Sequence, residues 1–118
     1  MKLYRFDREV GGSIQAYHSS GFVIARLAHL FDEAVVNCAY LEANGVIGYH
    51  QATIPQLFLV VQGEGWVRSE TNGRVSIKTG EAAYWEQDEW HESGTENGMT
   101  AIIIEGGRID LSKLVSTV

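Results

Sequence analysis

The chain has 118 residues, 45% hydrophobic and 20% charged, with a formal net charge of −6 at pH 7. That length suits one domain over 1–118 with an ordinary soluble core. The acidic balance, with nine scattered Lys and Arg, argues against nucleic acid as a partner. No apolar run approaches the roughly 18 residues of a membrane helix. Lys2, Arg5 and Asp7 put charge where a signal peptide would be apolar. A cytoplasmic protein with no membrane partner is expected.

Thirteen glycines stand against a single proline, Pro55. The glycines fall between apolar segments, where chain reversals belong. In chain order, 22–27 follows Gly21 as a β-rich strand, and 27–31 makes a turn of helix. Ala34 to Leu41 forms a strand that ends at Asn44-Gly45. The segment 56–62 is a strongly apolar strand whose β-branched and aromatic residues suit a pleated surface. In 65–78, apolar and polar residues alternate on both sides of Asn72-Gly73, which predicts a hairpin with a type I′ turn and one buried face. Asn97-Gly98 precedes a strand over 99–105, Gly106-Gly107 ends it, and 110–118 is a candidate terminal helix. Many short strands between turn residues predict an all-β sandwich or barrel, closed so that few edges are exposed.

The chemistry-bearing residues are few. The single cysteine, Cys38, excludes an intrachain disulfide and a multi-cysteine zinc site. It is expected as a buried free thiol. His18 and His29 are expected on the surface or in loops. The acidic set Glu81, Glu86, Asp88, Glu89, Glu92 and Glu96 is expected as a solvated face, because like charges are costly to bury together. His50 and His91 flank strand segments at turn-rich places, where their side chains can converge inside one barrel.

Segments 45–63 and 80–95 resemble the two sequence motifs of the cupin family. The first motif reads glycine, a spacer, H-x-H, three or four residues, E, six residues, G. Here His50 stands at the first histidine, Ala52 at the second, Gln56 at the glutamate and Gly63 at the closing glycine. The second reads glycine, five residues, P-x-G-x-x-H, three residues, N. Here Gly80 opens it, Glu86 stands at the proline, Asp88 at the glycine, His91 at the histidine and Thr95 at the asparagine. The resemblance implies a small single-domain microbial cupin of the RmlC-like type: a double-stranded β-helix, or jelly-roll barrel. It also implies a homodimer, with the apolar N-terminal strands joining an inter-subunit sheet.

In the family the two motifs hold one divalent metal with three histidines and a glutamate. Ala52 has no ligand atom, and Gln56 offers a neutral amide oxygen in place of a carboxylate. The implied metal set is therefore His50, Gln56 and His91, holding one divalent transition metal (Zn, Ni, Fe or Mn) weakly or not at all. Glu86, Glu89 and Glu92 are candidates to substitute. The aromatic residues add pocket walls. Phe58 shares strand parity with Gln56, and Trp85 lies in the second motif, so His50, Gln56, Phe58, Trp85 and His91 form the expected ligand pocket. Two readings of function follow. The first is a module that binds a small molecule in a barrel whose metal site has partly degenerated. The alternative is a metal-dependent enzyme of oxygenase or isomerase type using His50, Gln56 and His91.

Overall fold

A computed structural model describes residues 1–117. Its backbone is almost wholly short strands: β1 (Lys2–Arg5), β2 (Gly12–Ser13), β3 (Val23–Ile24), β4 (His29–Leu30), β5 (Ala34–Leu41), β6 (Val46–Gln51), β7 (Gln56–Ser69), β8 (Val75–Lys78), β9 (Glu81–Trp85), β10 (Trp90–Gly94), β11 (Met99–Gly106), β12 (Ile109–Asp110) and β13 (Val115–Ser116). The helical content is two one-turn 3-10 segments, Arg8–Val10 and Ala16–His18. Every strand pairing among the described residues is antiparallel.

The long strand β7 organises the barrel. Its first half pairs with β9 and β11, and its second half with β8 and β10. One wall therefore runs β13-β1-β9-β7-β11-β5, and the other runs β8-β7-β10-β6. The strand passes from one wall to the other at Gly63, whose φ is +79°. A Cβ there would lie 2.4 Å from the Gly98 carbonyl oxygen, so both the dihedral and the close backbone approach require glycine.

Strand alternation divides the apolar side chains into two layers. Phe58, Val60, Val67, Ile77, Ala83, Trp85, Met99 and Ala101 fill the space between the walls. Leu57, Leu59, Ala82, Ile104 and Leu114 face the other way and are covered by Phe6, Leu27, Leu30, Ile109 and Leu111. Phe6 and the segments at 27–30 and 109–114 therefore cover the outer face of the larger wall.

Several local expectations are revised. The 27–31 segment is extended and contributes β4, which pairs with β12, because Leu27 and Leu30 are drawn onto the outer apolar layer. The strand expected over 22–27 is confined to Val23–Ile24. No helix forms in 110–117, where Val115–Ser116 pairs with β1, and Val118 lies outside the described residues. The hairpin β7–β8 forms, but neither Asn72 nor Gly73 has a positive φ, so its turn is not type I′. Ser69 closes a wider loop instead: its Oγ donates to Asn72 Oδ1 at 3.0 Å and accepts from the Asn72 N–H at 3.2 Å. Cys38 is exposed on β5, not buried, because β5 pairs only with β11 and lies at a sheet edge.

Candidate ligand site at the barrel end

His50 reaches the barrel face through a register shift. Strands β6 and β10 pair His50 with His91 and Ile47 with Ser93, so two residues of β6, Gly48 and Tyr49, oppose the single residue Glu92. This β-bulge changes the parity of β6. Ile47 packs against the inner cluster, and His50, three residues later, returns to the same side beside His91. Bulges commonly re-aim a side chain next to a functional site in this way. Tyr49 is left outside, stacked on Trp90 at 5.3 Å and under the Arg68 guanidinium at 4.2 Å.

The two imidazoles adjoin, with ring centroids 4.4 Å apart. His50 Nδ1 donates to the Gly48 carbonyl at 2.6 Å, and His91 Nδ1 to the Glu89 carbonyl at 3.3 Å. A carbonyl only accepts, so Nδ1 carries the hydrogen in both rings and Nε2 keeps the lone pair. His50 is exposed, whereas His91 is only 2% exposed. Burial pushes the His91 imidazolium below the ordinary histidine range, and the adjacent His50 acts in the same direction. The Glu89 carbonyl and the charges of Glu89 and Glu105 oppose this shift.

Trp85 stacks on His91 with a centroid separation of 4.3 Å and an interplanar angle of 22°. Phe58 meets Trp85 edge-on at 5.9 Å. Gln56 is the Cα partner of Trp85 across β7–β9 and of Glu105 across β7–β11. Its Nε2 donates to Glu105 Oε1 at 2.7 Å. The structure thus brings all five expected residues, His50, Gln56, Phe58, Trp85 and His91, onto the barrel face. Two buried polar atoms there have no hydrogen-bond partner: His91 Nε2 and Trp85 Nε1.

The carboxylates of the second motif have other roles. Glu89 is tied to the backbone amide of Glu86 at 3.1 Å and to the Met1 ammonium. Glu92 binds Arg68 at 2.6 Å on the outer side, and Glu86 is exposed beside Lys2. Ala52 is buried, and its backbone holds the turn at both polar groups, donating to Glu89 O at 3.0 Å and accepting from Asp88 N at 2.8 Å. Two features outside the expected set emerge. Glu105 faces the barrel, and the bulge at Gly48–Tyr49 decides where His50 points. Counting alternate residues back from Glu105 to Ile103 and Ala101 carries the signal for the first; no local sequence pattern marks the second.

The positions that depart from the family motif in 80–95 keep their backbone roles. Asp88 has φ +71°, the left-handed conformation that a glycine there would take. Thr95 Oγ1 donates to Glu64 O at 2.6 Å and accepts from Gly98 N at 3.0 Å, closing the turn into β11. The two antiparallel walls that share β7 superpose on solved structures. A cupin superfamily protein from Desulfitobacterium hafniense superposes with TM-score 0.60 at 9% identity, over 70% of this chain and 77% of that one. The chain has the cupin fold. An RmlC-like cupin from Shewanella frigidimarina gives TM-score 0.60 at 16% identity, over 64% and 68% of the two chains. KdgF from Halomonas sp. gives 0.59 at 21%, over 68% and 75%. No protein-family model and no curated protein matches the sequence.

The four-ligand metal set of the cupin family is not reproduced. Among the described residues, no three His, Cys, Asp or Glu side chains gather so as to hold a metal ion. His50 and His91 carry the right tautomer, but Ala52 contributes nothing, and Gln56 is engaged with Glu105. Two imidazole nitrogens and one amide oxygen form a weaker donor set than the family's.

Proposed function

We propose that this cupin binds a small molecule at the barrel end, between His50, Gln56, Phe58, Trp85 and His91. The observation that carries the proposal is the pair of unsatisfied atoms, His91 Nε2 and Trp85 Nε1, in residues only 2% and 0% exposed. Leaving such a group unpaired costs about 1–3 kcal/mol. Folded proteins rarely leave buried polar groups without a partner. The two atoms sit on stacked rings, one a free acceptor and the other a free donor. The adjoining apolar wall of Phe58 suits the carbon part of a ligand.

Thermal-shift screening of a small-molecule library tests this reading. A ligand of this site raises the melting temperature by mass action. Phe58→Trp enlarges a side chain beside Trp85 and is expected to abolish the shift. A shift that survives both Phe58→Trp and His91→Ala would move the site elsewhere and refute the proposal. Zinc, nickel, iron or manganese bound stoichiometrically, and lost in both His50→Ala and His91→Ala, would favour the metal-enzyme alternative.

We also propose that two copies join at β5. The N-terminal strand β1 is flanked by β9 and β13 within the chain, so it has no free edge. Strand β5 is paired only with β11, carries no charged residue over Ala34–Leu41, and exposes Val35, Val36 and Tyr40. A long uncharged edge of this kind is a template for strand pairing, and an identical strand related by a two-fold axis satisfies its free backbone groups symmetrically. Light scattering is expected to give a dimer mass that Val36→Lys halves; a monomer in the unmodified protein would refute it.

A further inference from the structure

Strand parity places a carboxylate in the site that neither motif contains. Along β11, Met99 and Ala101 lie in the inner cluster and Ile103 packs against it. Ile102 and Ile104 belong to the outer layer. Glu105 is next on the inner side. Its Cα partner on β7 is Gln56, whose own partner on β9 is Trp85. Glu105, Gln56 and Trp85 therefore form one row across three strands, and His91 and His50 continue it by ring contact.

The hydrogen bonding of this row has a consistent sense. A carboxylate only accepts, so Gln56 must present Nε2 to Glu105, and the amide's remaining acceptor is Oε1. Both imidazoles spend their N–H on backbone carbonyls, which leaves Nε2 as an acceptor on each. The row thus offers the acceptors His50 Nε2, His91 Nε2 and Gln56 Oε1, together with the Glu105 carboxylate. Against these stands one donor, Trp85 Nε1. The charge is equally one-sided. The ion pairs among the described residues are Met1–Glu89, Lys2–Glu86, Arg5–Asp7, Arg5–Glu9 and Arg68–Glu92, and Glu105 is in none of them. A half-buried anion with no cationic partner among the described residues is complementary to a cation that arrives from outside.

We infer that Glu105 is a specificity-determining residue, and that the ligand of the barrel end is a small organic ammonium ion bearing N–H donors. This rests on the barrel end being the ligand site. An ammonium group supplies the positive charge that Glu105 lacks and several donors for a row of acceptors. A quaternary ammonium supplies only the charge, an alcohol only one donor, and a carboxylate the wrong sign.

The test uses four probes of similar size: n-propylammonium, tetramethylammonium, 1-propanol and propanoate. Each is titrated into the unmodified full chain and followed by amide chemical shifts of β6, β10 and β11. The expected order is propylammonium first, then tetramethylammonium and propanol, with propanoate weakest. Glu105→Gln keeps the shape of the side chain and removes its charge, so it is expected to weaken propylammonium by about tenfold or more, the usual worth of a charge-assisted bond. Propanol is expected to change little in the same variant. That retained propanol binding separates the loss of charge from folding damage. Equal binding of propanol and propylammonium, or unchanged propylammonium affinity in a folded Glu105→Gln, would overturn the inference while leaving the barrel-end site standing. Failure of all four probes to shift these strands, while screening yields ligands that act elsewhere, would overturn both.

Discussion

The two motif-like segments depart from the cupin pattern in opposite ways. In 80–95, the residues that differ from the family pattern preserve backbone geometry: Asp88 adopts the positive φ of a glycine, and Thr95 closes the turn as a hydrogen-bonding side chain. In 45–63, Gly63 stands at the pattern's closing glycine as a hinge, but Ala52 and Gln56 stand where the pattern has ligands. The fold is therefore specified by one set of positions and the chemistry by another. A jelly roll can keep its turns and its bulge while the donors at its end change. This is the physical content of the rule that fold does not determine function.

The largest expected effect comes from reversing the loss in the first segment. Ala52→His with Gln56→Glu restores the family's donor types at both positions. Zinc affinity measured by competition with a chelating dye is expected to rise by about a hundredfold or more, since even supporting residues of metal sites command about 10- to 100-fold. An unchanged affinity in a folded double variant would mean that the segment has lost the geometry as well as the ligands. A smaller effect is expected in the second segment. Thr95→Val removes a buried hydroxyl that serves both Glu64 O and Gly98 N, and is expected to cost about 1–3 kcal/mol in chemical unfolding. Thr95→Asn, the family residue, is expected to recover part of that loss. If both variants unfold alike, Thr95 is not a turn-closing residue.

The smallest effect is a pH dependence. Burial disfavours the charged His91 imidazolium, so its folded pKa lies below the unfolded value. Above the unfolded pKa the ring is neutral in both states and adds no pH dependence. As the pH falls below about 6.5, the unfolded chain takes up a proton that the folded chain refuses, and stability declines until the folded pKa is reached. His91→Phe is expected to flatten this part of the profile of melting temperature against pH. A profile equally steep in the variant would place the responsible group elsewhere.

Much of the fold was legible because it rests on period-two alternation and turn residues. Ala34–Leu41 appears as a strand at the expected bounds, and Phe58 faces the barrel by parity with Gln56. The N-terminal third was less legible. Its 27–30 segment is extended because it covers the outer layer of the large wall, and that layer exists only once β7, β9 and β11 have assembled. The site divides similarly. His50, Gln56 and His91 were singled out by motif spacing, and Trp85 as an aromatic residue within the second segment. The inward turn of His50 depends on a bulge created by pairing with a strand some forty residues away in sequence. Glu105 was hidden for a related reason: its partner Gln56 lies 49 residues earlier, so only the β7–β11 register makes them neighbours.

The central claim is that a small molecule occupies the barrel end and satisfies the buried atoms of His91 and Trp85. The most direct measurement follows the indole N–H resonances of Trp66, Trp85 and Trp90 while a ligand from the thermal-shift screen is added. Trp66 and Trp90 belong to the outer sides of the barrel, where Arg74 lies over the first and Tyr49 stacks on the second. The account predicts that the Trp85 resonance moves, saturates with the ligand's own dissociation constant, and ceases to respond in Phe58→Trp. A ligand that shifts the indoles of Trp66 or Trp90 and leaves that of Trp85 unmoved would contradict it.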